Sequence, residues 1–98
     1  MSLSASVIVP TFQRAASVGR LLAGLDEQAM SSDSFEVIVI GDGSTDGTDE
    51  LVSNRKSAYR LRYLGQPRRG RASACNAGIR ASSGELVILL DDDMQPTR

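Results

Sequence analysis

The stretch VIVIGDGSTDGTDE, residues 37–50, joins four consecutive apolar residues to a glycine-rich turn, and it limits the fold more than any other part of the chain. A short apolar run that ends at glycine is typical of a strand buried on both faces. Residues 44–46 (Ser-Thr-Asp) are good N-cap residues and predict a helix carrying Leu51 and Val52. A buried strand that leads through a turn into a helix indicates a parallel α/β sheet.

The hydrophobic pattern outside this stretch predicts the remaining elements. Helices are predicted at residues 15–29 and 71–82, and strands at residues 5–9, 35–40, 60–64 and 85–90. The order is strand–helix three times and then a strand, so we expect an open, Rossmann-like parallel sheet with helices on both faces.

Four unusual segments follow these strands, at residues 10–12, 41–44, 65–71 and 91–93. Because right-handed crossovers place the carboxyl ends of parallel strands at one edge of the sheet, we expect the four segments to converge there. Open α/β sheets bind their ligands at that edge.

Residues 37–50, the opening stretch, allow three interpretations. Gly41 and Gly43 begin a dinucleotide-binding GxGxxG pattern, but Asp46 stands at its third glycine position. A calcium loop of the EF-hand type would need a glutamate where Ser53 stands, and a helix rather than a strand before it. The third interpretation is a loop that binds a nucleoside through Asp42, with the neighbouring residues only forming the turn and the helix start.

Composition restricts the possible functions. The chain has 98 residues, 41% of them hydrophobic, and a net charge of −1, so it is globular and nucleic-acid binding is not indicated. It contains no histidine and one cysteine, Cys75, which we expect to be a packed thiol in a reducing compartment. We see no signal peptide and no membrane-spanning segment, and expect a cytoplasmic location, or the cytoplasmic face of a membrane if a longer protein has membrane segments.

Charged residues are unevenly distributed. Eight basic residues and no acid lie between positions 55 and 80, and they predict either a solvated surface or a positive wall facing an anionic ligand. Asp91, Asp92 and Asp93 then follow the last strand. Adjacent carboxylates after a buried strand suit Mg²⁺ or Mn²⁺ with substrate phosphates, whereas the alternative is a solvated acidic turn.

Three motifs give the chain a family resemblance. SVIVPTFQR (residues 6–14), FEVIVIGDGSTDGT (residues 35–48) and GRASACNAGIRASSGELVILLDDD (residues 70–93) resemble, in order and spacing, the nucleotide-binding half of the family 2 glycosyltransferases. The resemblance implies a GT-A fold with strand order 3-2-1-4. It also implies a UDP- or GDP-linked sugar as donor, an inverting transfer, and Mn²⁺ or Mg²⁺ as cofactor.

The resemblance also implies site residues. Those expected to bind the nucleotide sugar are Pro10, Thr11, Phe12, Asp42, Arg71, Asp91 and Asp92. Asp93, together with Asp91, is expected to bind the metal.

The sequence departs from the family pattern at two positions, because Gly41 replaces a common acid and Cys75 replaces a common arginine. The family's acceptor region and catalytic base lie beyond the three aspartates, so we expect residues 1–98 to be a single partial domain, without a catalytic residue, from a longer transferase. Residues 86–90 would then form an exposed edge strand open to self-association. The alternatives are a non-catalytic nucleotide- or metal-binding module and a sugar-nucleotide-forming nucleotidyltransferase, which the PTFQR loop matches poorly.

Overall fold

The computed structural model describes residues 5–28, 35–57 and 59–91. Its strands and helices are β1 (Ala5–Thr11), α1 (Ala15–Gln28), β2 (Phe35–Asp42), α2 (Thr48–Ser53), β3 (Arg60–Gln66), α3 (Arg71–Ala81) and β4 (Leu86–Leu89). The predicted alternation of strands and helices is confirmed. The predicted C-terminal limits of the first three strands were wrong by two residues, because each strand ends in a proline or glycine followed by a polar residue, which breaks the hydrophobic pattern.

The four strands form one parallel sheet in the order β3-β2-β1-β4, as predicted. β2 is buried from Glu36 to Asp42, and this explains its unbroken apolar run. The side chains of one sheet face form a core with α1 and α2, built around Val9, Leu21 and Val39. Ile8 and Ile38, on the other face, pack against Ala74 of α3.

Helix α3 lies close to the sheet because its buried residues, Ala74 and Gly78, are small. Gly78 is buried, and a Cβ atom at this position would lie 2.4 Å from Cγ2 of Ile8 and 2.8 Å from Cδ1 of Ile40. The absence of a side chain at position 78 therefore allows the helix to pack closely on the sheet. A side chain at position 78 fits only if the helix or these isoleucine side chains move.

Pro10 ends the hydrogen-bonded pairing between β1 and β4. The amide of Leu90 donates a hydrogen bond to the carbonyl oxygen of Ile8 at 3.0 Å. Pro10, two residues further along β1, faces the same side but has no N–H group to continue the ladder. The chain is therefore released from the sheet at Asp91, beside the carboxyl end of β1.

The start of α2 differs from the sequence prediction. The N-cap residue is Gly47, at φ 89°, and the helix begins at Thr48. Ser44 and Thr45 are not caps, because their hydroxyls bind another loop. Asp46 retains part of the predicted role, since its Oδ1 accepts hydrogen bonds from the amide of Thr48 at 3.3 Å and from its hydroxyl at 2.5 Å.

Within the described ranges, none of the helices has the length and apolar character needed to cross a membrane.

Candidate functional site

An open cavity of about 360 Å³ lies at the carboxyl edge of the sheet. It is lined by Pro10, Thr11, Phe12, Arg14, Asp42, Arg68, Arg71, Ala74 and Asp91. Every described residue that the sequence predicts for nucleotide binding is in this set. Asp92 and Asp93 lie outside the described residues, so their predicted roles stay predictions.

Asp42 is a buried carboxylate of the cavity, and described residues hold it with hydrogen bonds. It is 3% exposed, and its carboxylate accepts four hydrogen bonds. Oδ1 accepts from Nε2 of Gln66 at 2.9 Å and from the amide of Arg69 at 2.7 Å, whereas Oδ2 accepts from the amide of Gly70 at 2.9 Å and from Nη1 of Arg68 at 3.5 Å. Asp42 thus fixes the end of β3 and the β3–α3 loop, whether or not it also binds a ligand.

The same contacts set the charge of Asp42. Burial favours the neutral acid and would by itself raise the pKa of this carboxyl group. The hydrogen bonds from Gln66 and from two backbone amides act in the opposite direction, together with the charge of Arg68, and the pKa is lowered. Asp42 is therefore a carboxylate at neutral pH and can accept N–H groups.

The glycines of the opening stretch admit neighbouring groups. Gly43 has φ 81°, and a Cβ atom there would lie 2.9 Å from Cβ of Arg68. Gly41 lies beneath the ring of Tyr63, and a Cβ atom there would lie 1.9 Å from the phenol oxygen. The phenol of Tyr63 thus fills the space that a side chain at position 41 would need. An acid at position 41, which is common in the family, would require the phenol of Tyr63 to move.

Phe12 and Arg68 form one wall of the cavity. The guanidinium carbon of Arg68 lies 3.5 Å from the centre of the Phe12 ring. Both side chains are exposed, at 39% for Phe12 and 57% for Arg68. A flat aromatic face and a buried carboxylate together suit a planar ligand that has N–H groups in its plane.

Gln13 connects the loop that carries Phe12 to the opening stretch. Its side chain pairs with Thr45 twice, with Oε1 accepting from the Thr45 amide at 2.7 Å and Nε2 donating to the hydroxyl at 2.8 Å. The Gln13 amide donates to Oγ of Ser44 at 3.1 Å, and Asp46 accepts from the Ala15 amide at 2.9 Å. Gln13 has φ 55°, a conformation that non-glycine residues seldom adopt, and these bonds hold it there.

The two aspartates of the opening stretch therefore serve different loops. Asp42 binds the β3–α3 loop, and Asp46 binds the start of α1 and of α2. Hydrogen bonds lower the pKa of the Asp46 carboxyl group, and those from the Thr48 hydroxyl and the Ala15 amide contribute most. This arrangement does not resemble a calcium loop, in which both carboxylates would face one ion.

Arg71 and Asp91 face each other across the cavity rim. They form an ion pair between Arg71 Nη2 and Asp91 Oδ1, with both side chains more than half exposed. Arg71 begins α3 and Asp91 follows β4, so the pair joins two of the converging segments. Among residues 5–28, 35–57 and 59–91, no group of three or more acids and cysteines is arranged to hold a metal ion.

The basic residues between positions 55 and 80 have more than one role: some form structural ion pairs, and others line the cavity. Arg55 pairs with Asp26 at 2.8 Å and Arg62 with the buried Glu36 at 3.5 Å, so these residues are structural. Arg68 and Arg71 line the cavity and form its positive wall. Arg14, Arg68 and Ala74 were missed as cavity residues, although Arg68 lies in the β3–α3 loop that the strand order had already indicated.

The chain belongs to glycosyl transferase family 2, since the family with that description matches residues 6–98. Among curated relatives, it is 41% identical over 88 residues to a validoxylamine A glucosyltransferase from Streptomyces hygroscopicus subsp. jinggangensis. That alignment covers 88% of this chain and 21% of the relative, so the chain spans about a fifth of the relative's length.

Solved structures agree with this assignment and with the GT-A fold. The mannosyltransferase PcManGT from Pyrobaculum calidifontis, in complex with GDP-Man and Mn²⁺, superposes with a TM-score of 0.89 at 33% identity, covering 100% of this chain and 30% of that one. S. aureus TarS 1-349 in complex with UDP gives a TM-score of 0.85 at 30% identity, covering 93% and 28%.

Proposed function

We propose that the full protein is a metal-dependent, inverting glycosyltransferase that uses a UDP- or GDP-linked sugar, and that residues 1–98 form its donor-binding part. The observation that carries the proposal is the convergence of Phe12, Asp42, Arg71 and Asp91 on one cavity at the carboxyl edge of the sheet. Family membership and the nucleotide complexes of two similar proteins support it.

Different residues of the cavity would contact different parts of the nucleotide sugar. Pro10, Thr11 and Phe12 would contact the nucleoside, and Asp42 would accept a hydrogen bond from the edge of its base. Arg71 would face the diphosphate, since a guanidinium group binds phosphate oxygens in two-point contacts. Asp91 and Asp92 would place the ribose and the sugar.

A divalent cation fits the oxygen chemistry at the end of β4. Asp91 lines the cavity, and carboxylate oxygens suit Mn²⁺ and Mg²⁺. Asp91 and Asp93 would hold the cation, which would neutralise the negative charge of the departing nucleoside diphosphate. The ion pair between Arg71 and Asp91 would then exchange for contacts of Arg71 with phosphate and of Asp91 with the cation.

The proposal includes a location. The sequence contains one cysteine and no partner for a disulfide within the chain, which suits a reducing compartment. We therefore propose the cytoplasm, or the cytoplasmic face of a membrane.

Isothermal titration of the full-length protein with UDP and with GDP, each with and without Mn²⁺, tests the proposal. We expect one nucleotide to bind more tightly with Mn²⁺ than without it. Asp42→Ala and Asp93→Ala should each weaken the Mn²⁺-supported binding at least tenfold, because each removes a charged contact with nucleoside or cation.

Glu85→Ala is the matched control, since Glu85 is an exposed acid at the opposite end of β4. It should bind like the wild type. Binding that is indifferent to Mn²⁺, with all three variants equal to the wild type, would contradict the proposal.

A further inference from the structure

Arg68 makes two contacts that the proposed function reserves for the donor. Its guanidinium group lies 3.5 Å from the centre of the Phe12 ring, and its Nη1 lies 3.5 Å from Oδ2 of Asp42. We propose that Arg68 competes with the nucleobase of the donor for the Phe12 face and for Asp42, and so sets the affinity of the site. This inference rests on the proposed function, because it concerns the same nucleoside position.

The competition follows from shape and hydrogen bonding. A guanidinium group is flat, stacks on aromatic rings and carries N–H donors in its plane. A nucleobase such as uracil or guanine has the same three properties. The group that stacks on Phe12 and points an N–H toward Asp42 can be one or the other, and the two cannot share one face of the ring.

The carboxylate of Asp42 strengthens this conclusion. An ionised carboxylate offers about four acceptor positions, and four donors already fill them. Two of the donors are backbone amides of the β3–α3 loop. The third is the side-chain amide of Gln66, whose Nε2 lies 2.9 Å from Oδ1. A fifth donor from a base therefore needs one of the four to leave.

Arg68 is the donor that can leave most easily. Its bond to Asp42 is the longest of the four, at 3.5 Å, and its side chain is 57% exposed. Water can solvate the guanidinium group once it moves, whereas a displaced backbone amide of the loop would lose its partner. Gly43 keeps the backbone of Arg68 close to the opening stretch, so the side chain alone would move.

Titration of the full-length protein compares Arg68→Ala with Arg69→Ala in the presence of Mn²⁺. The two variants lose the same charge from adjacent exposed positions. Arg69 contributes to Asp42 through its backbone amide, which alanine retains. An exposed stack and an exposed ion pair each change an equilibrium constant by a few-fold, so Arg68→Ala should lower the Kd for the preferred nucleotide about three- to tenfold. Arg69→Ala should not lower it.

Uridine and guanosine, which carry no phosphate, separate the base contact from charge attraction. Arg68→Ala should also bind the preferred nucleoside about three- to tenfold more tightly than the wild type does. Arg68→Lys keeps the charge without the flat group, and should give a Kd between those of the wild type and Arg68→Ala.

The possible failures are distinguishable. If the wild type binds UDP or GDP with Mn²⁺ but Arg68→Ala and Arg68→Lys bind the nucleoside equally or more weakly, Arg68 assists the base and the competition is disproved, while the proposed function stands. If the wild type binds neither nucleotide, the proposed function fails and the competition with it.

Discussion

Two buried carboxylates, Asp42 and Glu36, stand at opposite ends of β2 and illustrate how single residues hold this sheet together. Asp42 fixes the β3–α3 loop at the carboxyl edge. Glu36 is fully buried near the amino edge, where Oε2 accepts from the hydroxyl of Ser6 at 2.6 Å and from the amide of Ser83 at 2.8 Å. Oε1 lies 3.5 Å from Nη1 of Arg62. Glu36 thus joins β1, β2, β3 and the turn that leads into β4.

The contacts of Glu36 predict a pH-dependent stability. Burial would raise the pKa of this carboxyl group, but the hydrogen bonds from Ser6 and Ser83 and the charge of Arg62 lower the pKa below its ordinary value. A carboxyl group with a depressed folded-state pKa stabilises the fold above its unfolded pKa, about 4.3 for glutamate. That stabilisation is lost as the pH falls through the folded pKa.

We therefore expect Glu36→Gln to lower the free energy of unfolding at pH 7 by about 1–3 kcal/mol, because the amide cannot accept all the bonds of the carboxylate. The variant should also lose less stability than the wild type between about pH 5 and pH 3. Urea denaturation across this range measures both effects. Glu85→Gln, at an exposed position, is the control; equal acid sensitivity of Glu36→Gln and the wild type would contradict the role given to Glu36.

At the scale of elements, the packing of helices on the sheet depends on where glycine stands. Gly78 of α3 touches the sheet, whereas Gly19 of α1 has room, since a Cβ atom there would lie 3.7 Å from Cδ1 of Leu51. The same substitution at these two positions should therefore act in opposite directions.

Gly78→Ala should lower the free energy of unfolding by about 1–3 kcal/mol, because the new methyl group collides with Ile8 and Ile40. Gly19→Ala should raise it by about 0.5–1 kcal/mol, since alanine is the better helix former and fits without strain. Chemical denaturation of both variants tests the pair. Equal stabilisation by both would contradict the predicted collision and show that α3 or the two isoleucine side chains can move.

Elements and loops differ in how well the sequence predicts them. The strands, the helices and the carboxyl-edge convergence follow from local hydrophobic patterns and from the handedness of crossovers. The start of α2 was predicted wrongly, because Gln13, more than 30 positions away, binds the hydroxyls that would otherwise cap the helix. The stacking of Arg68 on Phe12 was missed for the same reason, since it joins loops that no local pattern connects.

At the scale of the whole molecule, β4 stands out because it is the most exposed strand among the described residues. It pairs with β1 on one side and is the last strand of the sheet on the other. Its residues Leu86, Val87, Ile88 and Leu89 are between 36% and 59% exposed. An exposed apolar edge strand is a template for pairing with another chain.

The 98-residue chain should accordingly self-associate through residues 86–90, with a mass that rises with concentration in size-exclusion chromatography with light scattering. Leu86→Lys should shift the chain toward monomer, because a charge on an edge strand opposes pairing. Ile79→Lys is the matched control, since Ile79 is 43% exposed and lies on α3 rather than on β4, and this variant should associate like the wild type. A wild-type chain that stays monomeric at high concentration, or equal effects of the two lysines, would contradict this role of β4. If the proposed full-length transferase covers this edge with further chain, its mass should not depend on concentration, whereas that of the 98-residue chain should.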